Sequence, residues 1–405
     1  MTKKPRLLPI LLASALGLLF LGSTTTTALA KPPAHAGGGG GGGGGDDGGS
    51  DDGGGDGGTL PNVRYEVAWL GTLGGSYSSA LAANDSGEIV GTSRNADGVL
   101  LATRFTLAGP VDLNVEMADL VAARDDGPWT AVIARDINEL GQITGQIRPS
   151  SGISHPFIYD PGDIDSGRPA ALEILPQLYD YTTRGVAINN YGEIAGTYQP
   201  QNTDGGSFLY SPGGVLIDMG AGLFANEGSI NDAGQITFWD NVLAHSWRYT
   251  PNSVLGDSGT FEEFPGGGLD INFFGDVAGT FRTETKSGKN KFVETIYRAA
   301  TPETIEVLYE GSSATFPFIN DDRDVCFIVD SRLVLYTDNQ SLGLVELDPL
   351  VTGDDASVSK WLNANGTVPA ELPNRDTTGF STIAGRGDFG SGVSEGFILL
   401  PYLVQ

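Results

Sequence analysis

The chain of 405 residues carries 50 Asp+Glu against 23 Lys+Arg, a formal charge of −27, and 60 glycines. So negative a molecule repels nucleic acid and anionic lipid, which excludes both as partners. A single cysteine, Cys326, excludes an internal disulfide, and three histidines argue against a histidine zinc site or a Ser-His-Asp triad.

Residues 1–30 read as a secretory signal peptide. Lys3, Lys4 and Arg6 precede an apolar stretch from Leu7 to Leu21, and Ala28-Leu29-Ala30 supplies small residues for cleavage. The stretch is short for a membrane span, and no second long apolar segment follows. The expectation is export to the extracellular space or periplasm, an uncleaved N-terminal anchor being the alternative. Removing the signal takes away three positive charges and no acids, leaving 20 Lys+Arg against 50 Asp+Glu, or −30. Residues 31–60 read as a disordered linker: Gly37 to Gly45 is unbroken glycine, and Asp46, Asp47, Asp51, Asp52 and Asp56 alternate with more. Such a segment buries nothing and repels itself. Calcium-binding β-rolls also alternate Gly with Asp, but they need a regular apolar position that is absent here.

Residues 61–405 read as seven copies of one unit. Its centre is an Asn, at Asn84, Asn138, Asn189, Asn231, Asn272, Asn320 and Asn363. Three places later stands Gly87, Gly141, Gly192, Gly234, Gly275 or Gly366, the sixth copy having Arg323 instead. Five places after the Asn comes a β-branched residue: Ile89, Ile143, Ile194, Ile236, Val277, Val325 or Val368. Asn starts a turn, Gly accepts the left-handed conformation that ends it, and β-branched residues suit the strand that follows. A third strand ends on an aromatic at Phe105, Tyr159, Tyr210, Tyr249, Tyr297 and Tyr336. A fourth strand follows in six copies. The seventh copy stops at its third strand, Gly396 to Leu399, and a matching segment, Arg64 to Leu70, precedes the first copy. The chain is therefore expected to be all-β: one closed β-propeller of seven four-stranded blades, its last blade completed by the N-terminal strand. Asn-to-Asn steps of 54, 51, 42, 41, 48 and 43 residues suit propeller blades. An open β-solenoid is the structural rival.

The segment from Leu70 to Gly91, with its Ala83-Asn84-Asp85-Ser86-Gly87-Glu88-Ile89 core, resembles the repeat of the HAF-repeat family of extracellular proteins. The later Ile-Asn-x-x-Gly-(Glu/Gln)-Ile stretches and His155-Pro156-Phe157 are similar too. The family's His-Ala-Phe signature stands here only as His-Pro-Phe and His-Ser-Trp. The resemblance implies an exported bacterial repeat protein of no established activity.

No residue is read as catalytic, cofactor-binding or metal-ligating. His155 and His245 hold the same place in two copies and read as structural. Asn320 to Asp324 alternates oxygen ligands, but Val325 and Ser331 stand where a calcium loop needs Gly and Glu. Cys326 reads as a buried, inert thiol. The candidate binding loop is the insertion from Asn114 to Thr130, with Asp125, Asp126 and an exposed Trp129. A second insertion is read from Pro369 to Phe380. Two functions remain: a secreted, monomeric, non-catalytic binding or scaffold protein with a protein or glycan partner, or a propeller enzyme using paired carboxylates on polysaccharide.

Overall fold

The spacing from asparagine to a β-branched residue closes a hairpin. In the computed structural model the Asn84 N–H donates to the Glu88 carbonyl at 3.1 Å, and the Gly87 N–H to the Asn84 carbonyl at 2.9 Å. The same two bonds recur at Asn138, Asn189, Asn231, Asn272 and Asn320. The structure describes residues 63–403 apart from 107, 151, 164–165, 179–180, 201–204, 226–229, 241–244, 253–257, 285–289, 301–304, 313–316, 330–331, 338–342, 348–350, 353–367, 372–380 and 389–393. The predicted linker, signal segment, Asn363 and Gly366 lie outside the described residues.

Around five of the six described hairpins a four-stranded antiparallel sheet is built from consecutive strands, while the strands around Asn84 belong to a nine-stranded sheet. One sheet is Trp129–Ile137, Ile143–Pro149, His155–Asp160 and Ala171–Ile174. The next is Thr182–Ile188, Ile194–Gln199, Gly206–Ser211 and Val215–Ala221. Three more follow, with second strands Ile236–Asp240, Val277–Glu284 and Val325–Val329. The register is constant: Ile143 pairs with Tyr159, Ile194 with Tyr210, Ile236 with Tyr249, Val277 with Tyr297 and Val325 with Tyr336. Each β-branched residue after the turn thus meets the aromatic that ends the third strand. These pairs are among the buried side chains that join neighbouring sheets, Tyr336 being only half-buried. The result is an all-β, propeller-like fold of repeated sheets.

Many first strands carry a bulge, and the second strand answers with glycine. Gly91, Gly145 and Gly196 stand opposite shifts at Ala80/Ala82, Ala134/Asp136 and Gly185/Ala187. A Cβ on Gly91 would meet the Ser79 carbonyl at 2.0 Å, and one on Gly145 the Ile133 carbonyl at 2.1 Å. No other residue fits so close a backbone approach.

That rule corrects the expected seventh copy. Val368 does not begin a second strand. It lies in Val368–Glu371, which pairs as a first strand with Ile383–Asp388. Ile383 takes the β-branched place and pairs with Leu399, and Gly385 stands opposite the bulge at Pro369/Glu371. Asn363-Ala-Asn-Gly366 has the hairpin spacing but lies outside the described residues, and Val368 stands on a strand that pairs with Ile383–Asp388 rather than with a third strand. The expected insertion from Pro369 to Phe380 is therefore part strand. The described helices, Leu113–Glu116 and Ala118–Ala122, fall in the first insertion and seat Leu113 and Met117 in the core.

The first and last strands meet. Val63–Trp69 runs antiparallel along Ser394–Leu403, with Val67 opposite Leu399, Ala68 opposite Ile398 and Trp69 opposite Phe397. A single parallel bridge, Tyr77 to Ser394, and the bond from the Gly396 N–H to Ser78 Oγ at 2.9 Å join this sheet to Gly74–Ala83 of the first repeat. Val63, Tyr65, Phe397 and Leu399 are buried against Cys326, Leu333 and Leu335. Burial pushes the Cys326 thiol up, which keeps it protonated and unreactive.

Arg323 is the one described non-glycine with positive φ, 66°, in the place where the other hairpins have glycine. Its guanidinium lies 4.6 Å from the centre of the Phe274 ring, and its Nε sits 2.7 Å from Asp276 Oδ2. Asp276 is buried and belongs to the preceding repeat. Backbone strain therefore coexists with a staple between two repeats. Glycine at 323 would relieve about 1–2 kcal/mol of strain but leave a buried carboxylate with one partner fewer, a larger cost of about 3 kcal/mol. Arg323→Gly is expected to destabilise by about 1–2 kcal/mol in urea unfolding, and a more stable variant would refute the staple.

Candidate functional site

The hairpin asparagines bond both within their own turn and to a neighbouring repeat. Asn189 Oδ1 accepts from the N–H groups of Tyr191 and Glu193, at 3.1 and 3.0 Å. Its Nδ2 donates to Glu193 Oε2 at 2.7 Å and, across the sheet boundary, to the Asn231 carbonyl at 3.1 Å. That second bond repeats from Asn84 to Asn138, Asn138 to Asn189, Asn231 to Asn272 and Asn272 to Asn320, at 2.8–3.1 Å. Asn320 ends the relay on Ser381 Oγ at 2.8 Å, and that hydroxyl donates to buried Asp324. An amide side chain has two donors and two acceptor lone pairs, so it can accept within its own turn while donating to the next.

A second relay uses the residue after each Asn. The Asp85 N–H donates to the Glu139 carboxylate, the Glu139 N–H to Asn190 Oδ1 at 2.9 Å, and the Asn190 N–H to Asp232 Oδ1 at 2.9 Å. The Phe273 N–H donates to Asp321 Oδ1 at 2.7 Å. Phe273 has no acceptor to offer Asp232, so the pattern skips there.

These tips surround a cavity of about 170 Å³ where six hairpins converge. Asp85, Glu139, Asp232 and Asp321 stand around it, and Ile137, Ile188, Ile230, Ile271 and Ile319 form a collar one residue before each Asn. No Lys, Arg or His lines it among the described residues. Two buried carboxylates also border it. Asp136 accepts from the N–H groups of Ile137 and Ile188 at 2.8 and 2.7 Å. Asp270 accepts from those of Ile271 and Ile319 at 2.9 and 2.7 Å. Each clamps the first strand of its own repeat to that of the next. Burial pushes the Asp270 carboxyl up, and the charges of Asp136 and Asp321 add to it. Burial likewise raises Glu139, the Asp85 amide opposes it, and Asp85, Asp321 and Asp232 raise it further. Carboxylates from five of the six hairpins thus gather here.

The predicted loop lies elsewhere. Trp129 opens a strand and is half-buried, not exposed: its ring meets His155 edge to face at 4.9 Å, and its indole N–H donates to Asp126 Oδ1 at 2.9 Å. Asp125 is exposed, and Asp126 is held at about 2 by Arg124 and the Trp129 N–H. His155 Nδ1 meets the Leu175 carbonyl at 3.0 Å, and His245 pairs with Glu263. Among the described residues no three His, Cys, Asp or Glu side chains group as a metal site. No described helix is long and apolar enough to cross a membrane. The rim acids were not grouped in the sequence, although their signal was there: each follows a repeat asparagine.

No protein-family model matches the chain, and no curated protein matches it. Solved structures with similar shape include TolB from Acinetobacter baumannii, at 12% identity and TM-score 0.38, covering 63% of this chain and 62% of that one. The extracellular domain of the hybrid two component system BT4673 from B. thetaiotaomicron aligns at 13% identity and TM-score 0.41, covering 83% and 39%. Trypanosoma rangeli sialidase in complex with sialic acid aligns at 11% identity and TM-score 0.33, covering 84% and 59%. The chain spans less than two thirds of each of these three.

Proposed function

We propose that the protein is an exported, non-catalytic binding protein of the HAF-repeat type, a closed propeller of seven blades that takes its ligand on the hairpin-tip face. Closure is supported by the antiparallel pairing of Val63–Trp69 with Ser394–Leu403 and by the bridge from Tyr77 to Ser394. The asparagine relay supports a single ring, because each bond hands the same donor to the following repeat. Export rests on the composition of residues 1–30.

The observation that carries the non-catalytic reading is how the cavity acids are used. Glu139, Asp232, Asp321, Asp136 and Asp270 each commit at least one oxygen to a main-chain amide of their own or a neighbouring repeat. Acids used this way hold blades together. A glycoside hydrolase needs one carboxylate to attack or activate water and another to protonate the leaving group. The face itself is suited to contact: Leu140, Tyr191, Phe273 and Phe274 are 57, 69, 56 and 50% exposed at or beside the hairpin tips. Exposed apolar groups repeated at hairpin tips suit a recognition surface.

The test is an assay of the purified protein against a polysaccharide panel, run beside a glycan and peptide binding array. Saturable binding without turnover is the expected result. Turnover abolished by Glu139→Gln or another single carboxylate change would replace this reading with the enzyme.

A further inference from the structure

Ser207 and Ser246 stand three residues before the aromatic that ends their third strand, and each ties its repeat to the next. Ser207 Oγ donates to the Leu223 carbonyl and Ser246 Oγ to the Gly266 carbonyl, both at 2.7 Å. Glu294 holds the same place before Tyr297, and it pairs with Thr280 as Ser207 pairs with Thr197. It lies on the strand face that carries Ile296, which is buried in one cluster with Val325, Phe327 and Val334 of the sixth repeat. The Glu294 side chain is itself buried. Its Oε2 accepts from Thr280 of its own sheet, and its Oε1 has no hydrogen-bond partner among the described residues. Serine is a neutral donor at such a boundary. An ionised carboxylate only accepts, and here one hydroxyl is all that would face a buried negative charge.

We propose that Glu294 is a proton-dependent latch: its protonated form keeps the fifth and sixth sheets packed, and loss of that proton opens this one boundary while the others stay shut. The titratable and charged side chains on the same face are Arg282 on the second strand, Glu306 and Tyr309 on the fourth, and Arg332 and Tyr336 on the sixth repeat. Glu306 is held by Arg298 and Tyr336, Arg332 by Glu346, and Asp276 at the head of the second strand by Arg323. Among the described residues only Thr280 bonds Glu294. The run from Ser312 to Pro317 that leads into the sixth repeat contains no ionisable side chain. Asp270 also spans this boundary, but the amides of Ile271 and Ile319 satisfy its oxygens, as those of Ile137 and Ile188 satisfy Asp136 between the second and third repeats. Burial pushes the Glu294 carboxyl up to about 8, so the packed boundary holds the proton and the opened one, where the carboxyl meets water, releases it. The latch is whole below the ordinary 4.5 and is lost as pH rises through about 8.

Amide hydrogen exchange of the intact protein, read by mass spectrometry at pH 6 and pH 8 and corrected for the intrinsic rate, follows each boundary separately. The Ile319 N–H, bonded to Asp270 across the fifth–sixth boundary, is expected to lose protection by about tenfold or more over that range. The Ile188 N–H, bonded to Asp136 across the second–third boundary, is the internal control and is expected to hold within about twofold. Glu294→Gln cannot ionise and is expected to keep most of the protection at Ile319 at pH 8. The parent alone decides between the two boundaries, so the outcome does not depend on how well the variant folds. Cys326 is buried against the last sheet, among Val63, Tyr65 and Phe397. Its labelling by a thiol reagent, relative to the urea-unfolded chain at the same pH, is expected to stay slow at pH 8. Unchanged protection at Ile319, equal loss at Ile319 and Ile188, or labelling of Cys326 at the unfolded rate overturns the proposal. Equal loss at Ile319 in the parent and in Glu294→Gln assigns the titration to Asp270 and also overturns it.

Discussion

Asn189→Ala is expected to destabilise the protein by about 3–4 kcal/mol, at about 1 kcal/mol per lost hydrogen bond. Four bonds disappear, to Tyr191, Glu193 twice, and Asn231. The Glu193 N–H loses its turn acceptor, and the Asn231 carbonyl keeps only the Gly234 N–H at 2.9 Å. For a chain of this length that corresponds to a Tm lowered by roughly 5 °C. Asn189→Asp separates the two roles of the side chain. It keeps the oxygen for both turn amides, loses the donor to Asn231, and sets a carboxylate against that carbonyl and against Glu193. It should be at least as damaging as alanine at neutral pH and recover in acid, when the new carboxyl is protonated and donates again. Urea unfolding of both variants at pH 4 and pH 7 makes the comparison. A loss under about 1 kcal/mol for Asn189→Ala would mean that the relay contributes no cohesion between repeats.

Much of the sheet framework was legible because its signals are local. Asn and Gly three residues apart fix a turn, and Ile89, Ile143 and Ile194 announce the next strand wherever they stand five places on. Phe105, Tyr159 and Tyr210 are marked by constant distance from the same Asn. The second strand of the seventh repeat was placed too early, at Val368, whereas the strand that pairs with Ser394–Leu403 is Ile383–Asp388, with Gly385 opposite a bulge on the strand before it. Steric demands that arise between strands leave only a faint trace in one-dimensional spacing. The candidate site was less legible still. Asp85, Glu139, Asp232 and Asp321 look like solvated turn acids, 54, 93 and 89 residues from the next of their kind. Their use as acceptors for a neighbouring repeat exists only once the repeats stand side by side. Trp129 shows the reverse error: an aromatic beside acids in an insertion looked exposed, but the strand it opens brings His155 against its ring.

Glu294 gives the second large effect, and it is one that spacing hides, since Val293-Glu294-Thr295 alternates like any half-exposed strand. The side chain is 1% exposed. Thr280 Oγ1 donates to its Oε2 at 2.7 Å, while buried Oε1 has no hydrogen-bond partner among the described residues. Burial pushes the carboxyl from its ordinary 4.5 up to about 8, against the opposing pull of the Thr280 hydroxyl. The folded protein therefore holds this proton where the unfolded chain has released it. The sign follows: the contribution is whole below about pH 4.5 and is lost as pH rises through about 8. A shift of that size is worth at most about 5 kcal/mol across the window. Glu294→Gln keeps the shape, cannot ionise, and should remove that slope, so the variant becomes more stable than the parent by several kcal/mol near pH 8. Asp270, also raised by burial, leaves a residual slope of the same sign in both proteins. Urea midpoints from pH 5 to pH 9 decide the matter: parallel profiles for parent and variant would show that Glu294 is ionised in the fold and that its orphaned oxygen has found a partner.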